Sequence, residues 1–205
     1  MVAIIKSFPS PILSKLPRQY TLEAYLQREA RSSDKSEFFN GNIIKMPNAK
    51  FYHNLITNNT NYAIQNALYM AKLEQYFVLG DSQKVYIEAE NTAVYPDALV
   101  ICEKPEFYQG LEYLLVNPLV VIEVLSKSTA AYDRKDKYSL YKMLPSLQEY
   151  VLIDSRKTYI ETRHQVEPDV WKSTYYKTVT DIIHLQSLQI SVPMTAIYKK
   201  VVFPT

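Results

Sequence analysis

NPLVVIEVLSKS, residues 117–128, decides how this chain is read. Leu119, Val120, Val121 and Ile122, then Val124 and Leu125, form an apolar run of strand length, rich in β-branched residues. The run predicts a strand buried on both faces. Glu123 stands in its middle. An unpaired carboxylate taken out of water costs several kcal/mol even after relaxation. A folded chain keeps such a group only when it is paired, protonated or bound to a metal.

Strand periodicity says where that carboxylate points. Successive side chains alternate between faces, so 119, 121, 123 and 125 share one side. In YPDALVIC (95–102), Tyr95, Asp97, Leu99 and Ile101 share one. Pro96 has no N–H to donate and suits a strand beginning or edge. If the two strands are neighbours with matching faces, Asp97 and Glu123 converge. Two carboxylates together repel and raise each other's pKa. A hard cation removes that penalty, and Mg²⁺ (or Mn²⁺ in its place) is commonly held by one or two carboxylates plus phosphate and water. A core Arg or Lys beside Glu123, or an edge position, would explain it equally well. Turn chemistry would explain Asp97.

The segment that follows is SKSTAAYDRKDKYSLYKML (126–144). Ser126, Ser128 and Thr129 offer hydroxyls at a predicted helix N-terminus, which favours an anion. Asp133, Lys137 and Tyr141 fall four apart on one helix face. Between Lys127 and Lys142 there are five cations and two anions, which charge alone would assign to a solvated face with an Asp–Lys pair.

The whole chain sets the limits. Its 205 residues suffice for one domain with a real core, and 47% hydrophobic and 21% charged residues are ordinary for a globular protein. A net charge of +2 neither requires nor excludes a nucleic-acid partner. The single cysteine, Cys102, rules out an internal disulfide and suits a reducing cytosol; it reads as a core residue. Three glycines (41, 80 and 110) are too dispersed for a Walker loop or a dinucleotide fingerprint. No stretch reaches membrane-spanning length. Residues 1–18, with three prolines, read as an arm, and 19–205 as a single domain.

The remaining pattern predicts a helix from Thr21, a hairpin at Asn40-Gly41, and a long helix between Ala49 and Gln75 bearing Phe51, Leu55, Tyr62, Leu68 and Leu73. Strands follow at YFVLGD, KVYIEA and YPDALVIC. The helix after Glu123 stops at Pro145, and further strands lie at QEYVLID, TYIETRHQ, VWKSTYYKTV and SLQISV. Helices and strands in this order predict an α/β (α+β) domain, a mixed sheet flanked by helices.

SEFFNGNIIKM, FYH, YPDALVICE, NPLVVIEVLSKST and YDRKDKYSLYKMLPSLQEYVLID, in that order, closely resemble the Uma-type family of restriction endonucleases within the PD-(D/E)XK nuclease superfamily. The likeness spans roughly residues 20–190. It implies a restriction-endonuclease-like core and Mg²⁺-dependent hydrolysis of DNA, with Asp97, Glu123 and a backbone carbonyl near Val124 as metal ligands. The superfamily's lysine normally lies two residues after the glutamate, where this chain has Leu125. The resemblance implies that Lys137, on the next helix, takes its place. Glu37 and His53 match accessory positions. Ser126, Ser128, Thr129 and Arg134 would hold the DNA backbone, and a homodimer would cut both strands. The displaced lysine and weak basicity keep a non-catalytic nucleic-acid-binding or interaction module open as the alternative.

Overall fold

A computed structural model describes residues 20–203; the arm expected over 1–18 lies outside them. Helix α1 (Leu22–Glu29) starts where Thr21 predicts: its hydroxyl accepts the Ala24 N–H at 3.1 Å. Strands β1 (Ser36–Phe39) and β2 (Asn42–Lys45) form the expected hairpin. Asn40 (φ 41°) and Gly41 (φ 92°) both take the positive φ that a two-residue hairpin turn needs.

Helix α2 (Phe51–Met70) occupies the long glycine-free stretch, but its buried face matches the predicted one only in part. Phe51 and Tyr62 are 74% and 71% exposed; Leu68 is buried as expected, but its buried companions are Ile56, Thr57, Thr60, Ala63 and Ile64. Small and hydroxyl-bearing residues let the helix lie close to the sheet, and Thr60 satisfies its hydroxyl on the Ile56 carbonyl at 2.7 Å.

The strands continue as β3 (Tyr76–Gly80), β4 (Lys84–Ile87), β5 (Thr92–Val94), β6 (Ala98–Cys102), β7 (Leu114–Leu115) and β8 (Val120–Leu125). After the helical segment come β9 (Glu149–Asp154), β10 (Ile160–Glu167), β11 (Val170–Tyr176), β12 (Ile182–Leu185), β13 (Ile190–Pro193) and the short helix α5 (Met194–Ile197). The main sheet has six strands in the order β11-β10-β9-β8-β6-β3. Only β8 and β9 run parallel, so the sheet is mixed, as expected. A second sheet, β2-β1-β5-β4-β7, and a β12–β13 hairpin complete the strands. The sequence pattern did not separate these sheets.

Strand alternation sorts the core. Val120, Ile122 and Val124 face α2, α5 and the β12–β13 hairpin. Val121 and Leu125 face the second sheet and the segment after β8, through Leu99, Val85, Leu140, Tyr141 and Leu144. A third cluster, around Tyr25, Phe38 and Tyr86, seats α1 on the second sheet. Every residue of β8 is buried. Burying one large aliphatic side chain contributes about 1.5–3 kcal/mol, so this strand can carry one costly group.

That segment begins as α3 (Ala130–Tyr132), widens into a π-helical turn (Asp133–Lys137) and continues as α4 (Tyr138–Tyr141). Asp133, Lys137 and Tyr141 are 4%, 4% and 0% exposed. The solvated face suggested by charge counting is therefore not what forms. Four-residue steps drift forward around an α-helix. A turn closed from i to i+5 winds less per residue and pulls that drift back, keeping the three side chains in line.

Candidate active site

Asp97 and Glu123 meet across the β6–β8 pair. Ala98 lies opposite Ile122 and Leu99 opposite Val121, so the register continues to Asp97 opposite Glu123. Both belong to the face carrying Leu99, Val121 and Leu125. Asp97 precedes the first residue of β6, where Pro96 delays pairing. Its Oδ2 accepts the Val124 N–H at 2.7 Å, which fixes the carboxylate against β8. His53, near the start of α2, brings Nε2 to 3.3 Å from the same oxygen.

Lys137 reaches back onto this face from the π turn. Its Nζ lies 2.9 Å from Glu123 Oε1 and 3.3 Å from Glu37 Oε1, and donates to the Tyr95 carbonyl at 2.8 Å. Glu37 also accepts the Tyr95 N–H at 3.2 Å, so β1 and the segment before Asp97 grip one another through the site. Tyr141 donates its hydroxyl to Glu123 Oε1 at 3.2 Å. The structure thus gathers Asp97, Glu123, Lys137, Glu37 and His53. Tyr141, expected on the Lys137 helix face but given no role at the site, and the Tyr95 backbone join them. The four-residue spacing from Lys137 to Tyr141 was the signal for Tyr141; nothing in the sequence pointed to the Tyr95 backbone.

Burial and charge work against each other here. Burial holds the Glu123 carboxyl well above the ordinary carboxylate range, against the pull of Lys137 and with a further push from Asp133 and Asp97. Burial disfavours the Lys137 ammonium, but Glu123, Glu37 and Asp133 more than offset that, so the lysine keeps its proton. The Asp133 carboxyl is pushed up to about 6, chiefly by burial. Burial also works against the His53 imidazolium, yet hydrogen bonding and attraction to Asp97 leave its pKa raised.

The remaining predicted contacts sit differently. Ser126, Ser128 and Thr129 bond to each other: Ser126 Oγ lies 3.1 Å from Ser128 Oγ and 3.0 Å from Thr129 Oγ1, and the Ser126 and Thr129 N–H groups donate to each other's hydroxyls. These contacts shape the turn out of β8. Arg134 lies beyond the carboxylate cluster, ion-paired with Glu161. Cys102 is half-buried at the end of β6.

A hard cation suits the donors. One oxygen of each carboxylate is committed: Asp97 Oδ2 to Val124 and His53, and Glu123 Oε1 to Lys137 and Tyr141. Among the described residues Asp97 Oδ1 and Glu123 Oε2 have no hydrogen-bond partner, which leaves one oxygen from each strand for an ion. His53 Nδ1 and Tyr132 Oη are also buried without a hydrogen-bond partner among the described residues. No cluster of three or more His, Cys, Asp or Glu side chains suited to a metal occurs among the described residues. A cation here would rely on the two carboxylates, backbone oxygen, water and substrate.

A mixed sheet flanked by helices, with paired acids where two neighbouring strands meet, defines a restriction-endonuclease-like protein. The chain belongs to the Uma2 family, described as "Putative restriction endonuclease", whose model matches residues 22–195. It is similar to two uncharacterized proteins of Synechocystis sp.: sll1609, 34% identical over 75% of this chain and 85% of that protein, and slr1290, 33% identical over 99% and 100%. A crystal structure of a putative nuclease belonging to DUF820 from Anabaena variabilis shares the fold, with TM-score 0.70 at 14% identity over 89% of this chain and 99% of the other. No helix among the described residues is long and apolar enough to cross a membrane.

Proposed function

We propose that this protein is a Mg²⁺- or Mn²⁺-dependent endonuclease that hydrolyses DNA phosphodiester bonds. The observation that carries this reading is the meeting of Asp97 and Glu123 on one sheet face, each with a carboxylate oxygen to spare. Asp97, Glu123 and the Val124 carbonyl would hold the cation. When bound, it would polarise the scissile phosphate and lower the pKa of a water molecule.

The chain's own residues do the rest. Lys137 keeps its proton and sets a fixed positive charge beside the phosphate. Glu37 and the Tyr95 carbonyl hold its ammonium in place, so the charge needs little reorganisation. His53 orients Asp97 through Nε2. In this role Lys137 stands in for the lysine absent at Leu125.

One observation favours the alternative of a binding module without catalysis: Lys137 already has three oxygen partners and is almost wholly buried. Cleavage of plasmid and single-stranded DNA in Mg²⁺ or Mn²⁺ by the wild type, Asp97→Ala and Lys137→Ala separates the two. An endonuclease loses cleavage in both variants. DNA binding without cleavage by any form identifies the module, and cleavage that survives Asp97→Ala dismisses this site.

A further inference from the structure

The face that carries Glu123 continues across the sheet, buried at Leu152 and Glu161, and opens to solvent only on the edge strand at Tyr175. Glu123 lies opposite Leu152, Leu152 opposite Glu161, and Glu161 opposite Tyr175, so one register row crosses β8, β9, β10 and β11. Strands sit about 4.8 Å apart, which places Tyr175 about 14 Å from Glu123 along this row. Tyr175 is 54% exposed on the edge strand. Its ring lies 6.4 Å from that of Tyr159. The Tyr159 ring has two cations over it, Lys157 at 5.1 Å and Arg134 at 5.4 Å. Arg134 comes from the same π turn as Lys137, so one backbone segment serves both ends of the row.

Glu161 holds the cationic end together. It pairs with Arg134 and, at 2.6 Å, with Arg163, whose guanidinium lies over the Tyr138 ring. One carboxylate faces two arginines, and Lys157 has no carboxylate partner among the described residues, so this end keeps an excess of positive charge. An exposed tyrosine beside a half-buried one, set among cations, suits a strand with anionic phosphates and open base faces: a base stacks on the exposed ring and the cations follow the backbone. A closed duplex offers its phosphates but not its base faces.

We propose that Tyr175 and Tyr159, with Lys157 and Arg134, form a platform for a single-stranded stretch of DNA at this edge of the sheet. The proposal rests on the nuclease reading for the identity of the polymer, but its test does not depend on cleavage.

The test is anisotropy of fluorescein-labelled oligothymidylate without divalent cation, on the full-length chain. Tyr175→Ala weakens binding about ten-fold, as loss of one stacked base would. Tyr175→Phe keeps the ring and binds like the wild type. Lys157→Ala lowers the salt dependence by slightly less than one counterion. A blunt duplex of the same length is little affected by Tyr175→Ala. Unchanged binding by Tyr175→Ala, no binding by the wild type, or equal loss on duplex and single strand overturns the platform. If Asp97→Ala proves the catalytic assignment wrong, these binding differences still stand or fall by themselves.

Discussion

Two glutamates buried in neighbouring strands have opposite fates. Glu149, at the start of β9, is fully buried, yet neutral donors surround it: the N–H groups of Gln186 and Ser187 at 3.3 and 3.1 Å and the Ser187 hydroxyl at 2.7 Å. It pins β9 to the turn after β12, on the side away from the candidate site. Glu123, in β8, pairs with a buried lysine through one oxygen and has no partner among the described residues for the other. Burial raises both carboxyls, moderately for Glu149, where three donors oppose it, and strongly for Glu123, where three nearby acids surround one lysine. A buried acid is thus no mark of a site by itself. Convergence with a second acid, and an oxygen left over, are what set Glu123 apart.

The sharpest way to break this contrast is to exchange the two side chains' chemistry. Glu123→Gln should cut Mg²⁺-dependent cleavage by at least about 10³-fold, the scale of removing an electrostatic partner from a catalytic site. Glu149→Ala should leave cleavage nearly unchanged but destabilise the fold by about 1–3 kcal/mol in urea titration, since its donors stay buried and unpaired. Cleavage loss in Glu149→Ala with Glu123→Gln active would reverse the two roles.

Lys137→Met should destabilise by about 3–5 kcal/mol at neutral pH, because it strands Glu123 and Glu37 among buried groups. Adding Glu123→Gln should recover part of that loss, a coupling visible in a double-mutant cycle. Additive effects would mean that the lysine and Glu123 do not share their burial cost.

Asp133 gives a pH signature. Its carboxyl moves from 3.8 to about 6 on folding, so the folded chain holds that proton more tightly. Its contribution is fully present below the unfolded pKa and is lost as pH rises through about 6. Asp133→Asn should flatten this fall, by up to about 3 kcal/mol between pH 4 and 8, at about 1.36 kcal/mol per pKa unit. Chemical denaturation across that range reads it directly; an unchanged slope would remove Asp133 from the account.

His53→Gln should have the smallest effect on stability, about 1 kcal/mol or less. Its pKa is raised in the fold, so the stabilisation is fully present below its ordinary value and fades as pH rises through the raised one. The variant should lose stability at mildly acidic pH and match the wild type in alkaline solution.

The parts of the fold governed by local rules were legible. Thr21 caps α1, Asn40-Gly41 turns the first hairpin, and alternation in 119–125 placed Glu123 on the Asp97 face. Leu119 is the exception: it precedes β8 and packs with the opposite face, since alternation holds only within the paired strand. The buried stripe of α2 was read only in part: Leu68 is on it, but Ile56 and Ile64 lie on it with small and hydroxyl-bearing residues, while Phe51 and Tyr62 face solvent. The split into two sheets was missed because pairing between distant strands leaves no local pattern. Counting charge hid the burial of Asp133 and Lys137, which the π turn and the acids opposite it together produce. Many of the eighteen tyrosines have a plain physical use. Tyr141, Tyr150 and Tyr198 bury their rings and spend their hydroxyls on Glu123, the Asp133 carbonyl, and the Asp154 and Tyr159 carbonyls.

The most direct test of the central claim is anomalous diffraction from crystals soaked in Mn²⁺. The expected result is a single strong peak touching Asp97 Oδ1 and Glu123 Oε2, lost in crystals of Asp97→Ala. A Mn²⁺ peak elsewhere with none between these two carboxylates, or an Asp97→Ala crystal that keeps the peak, would contradict it.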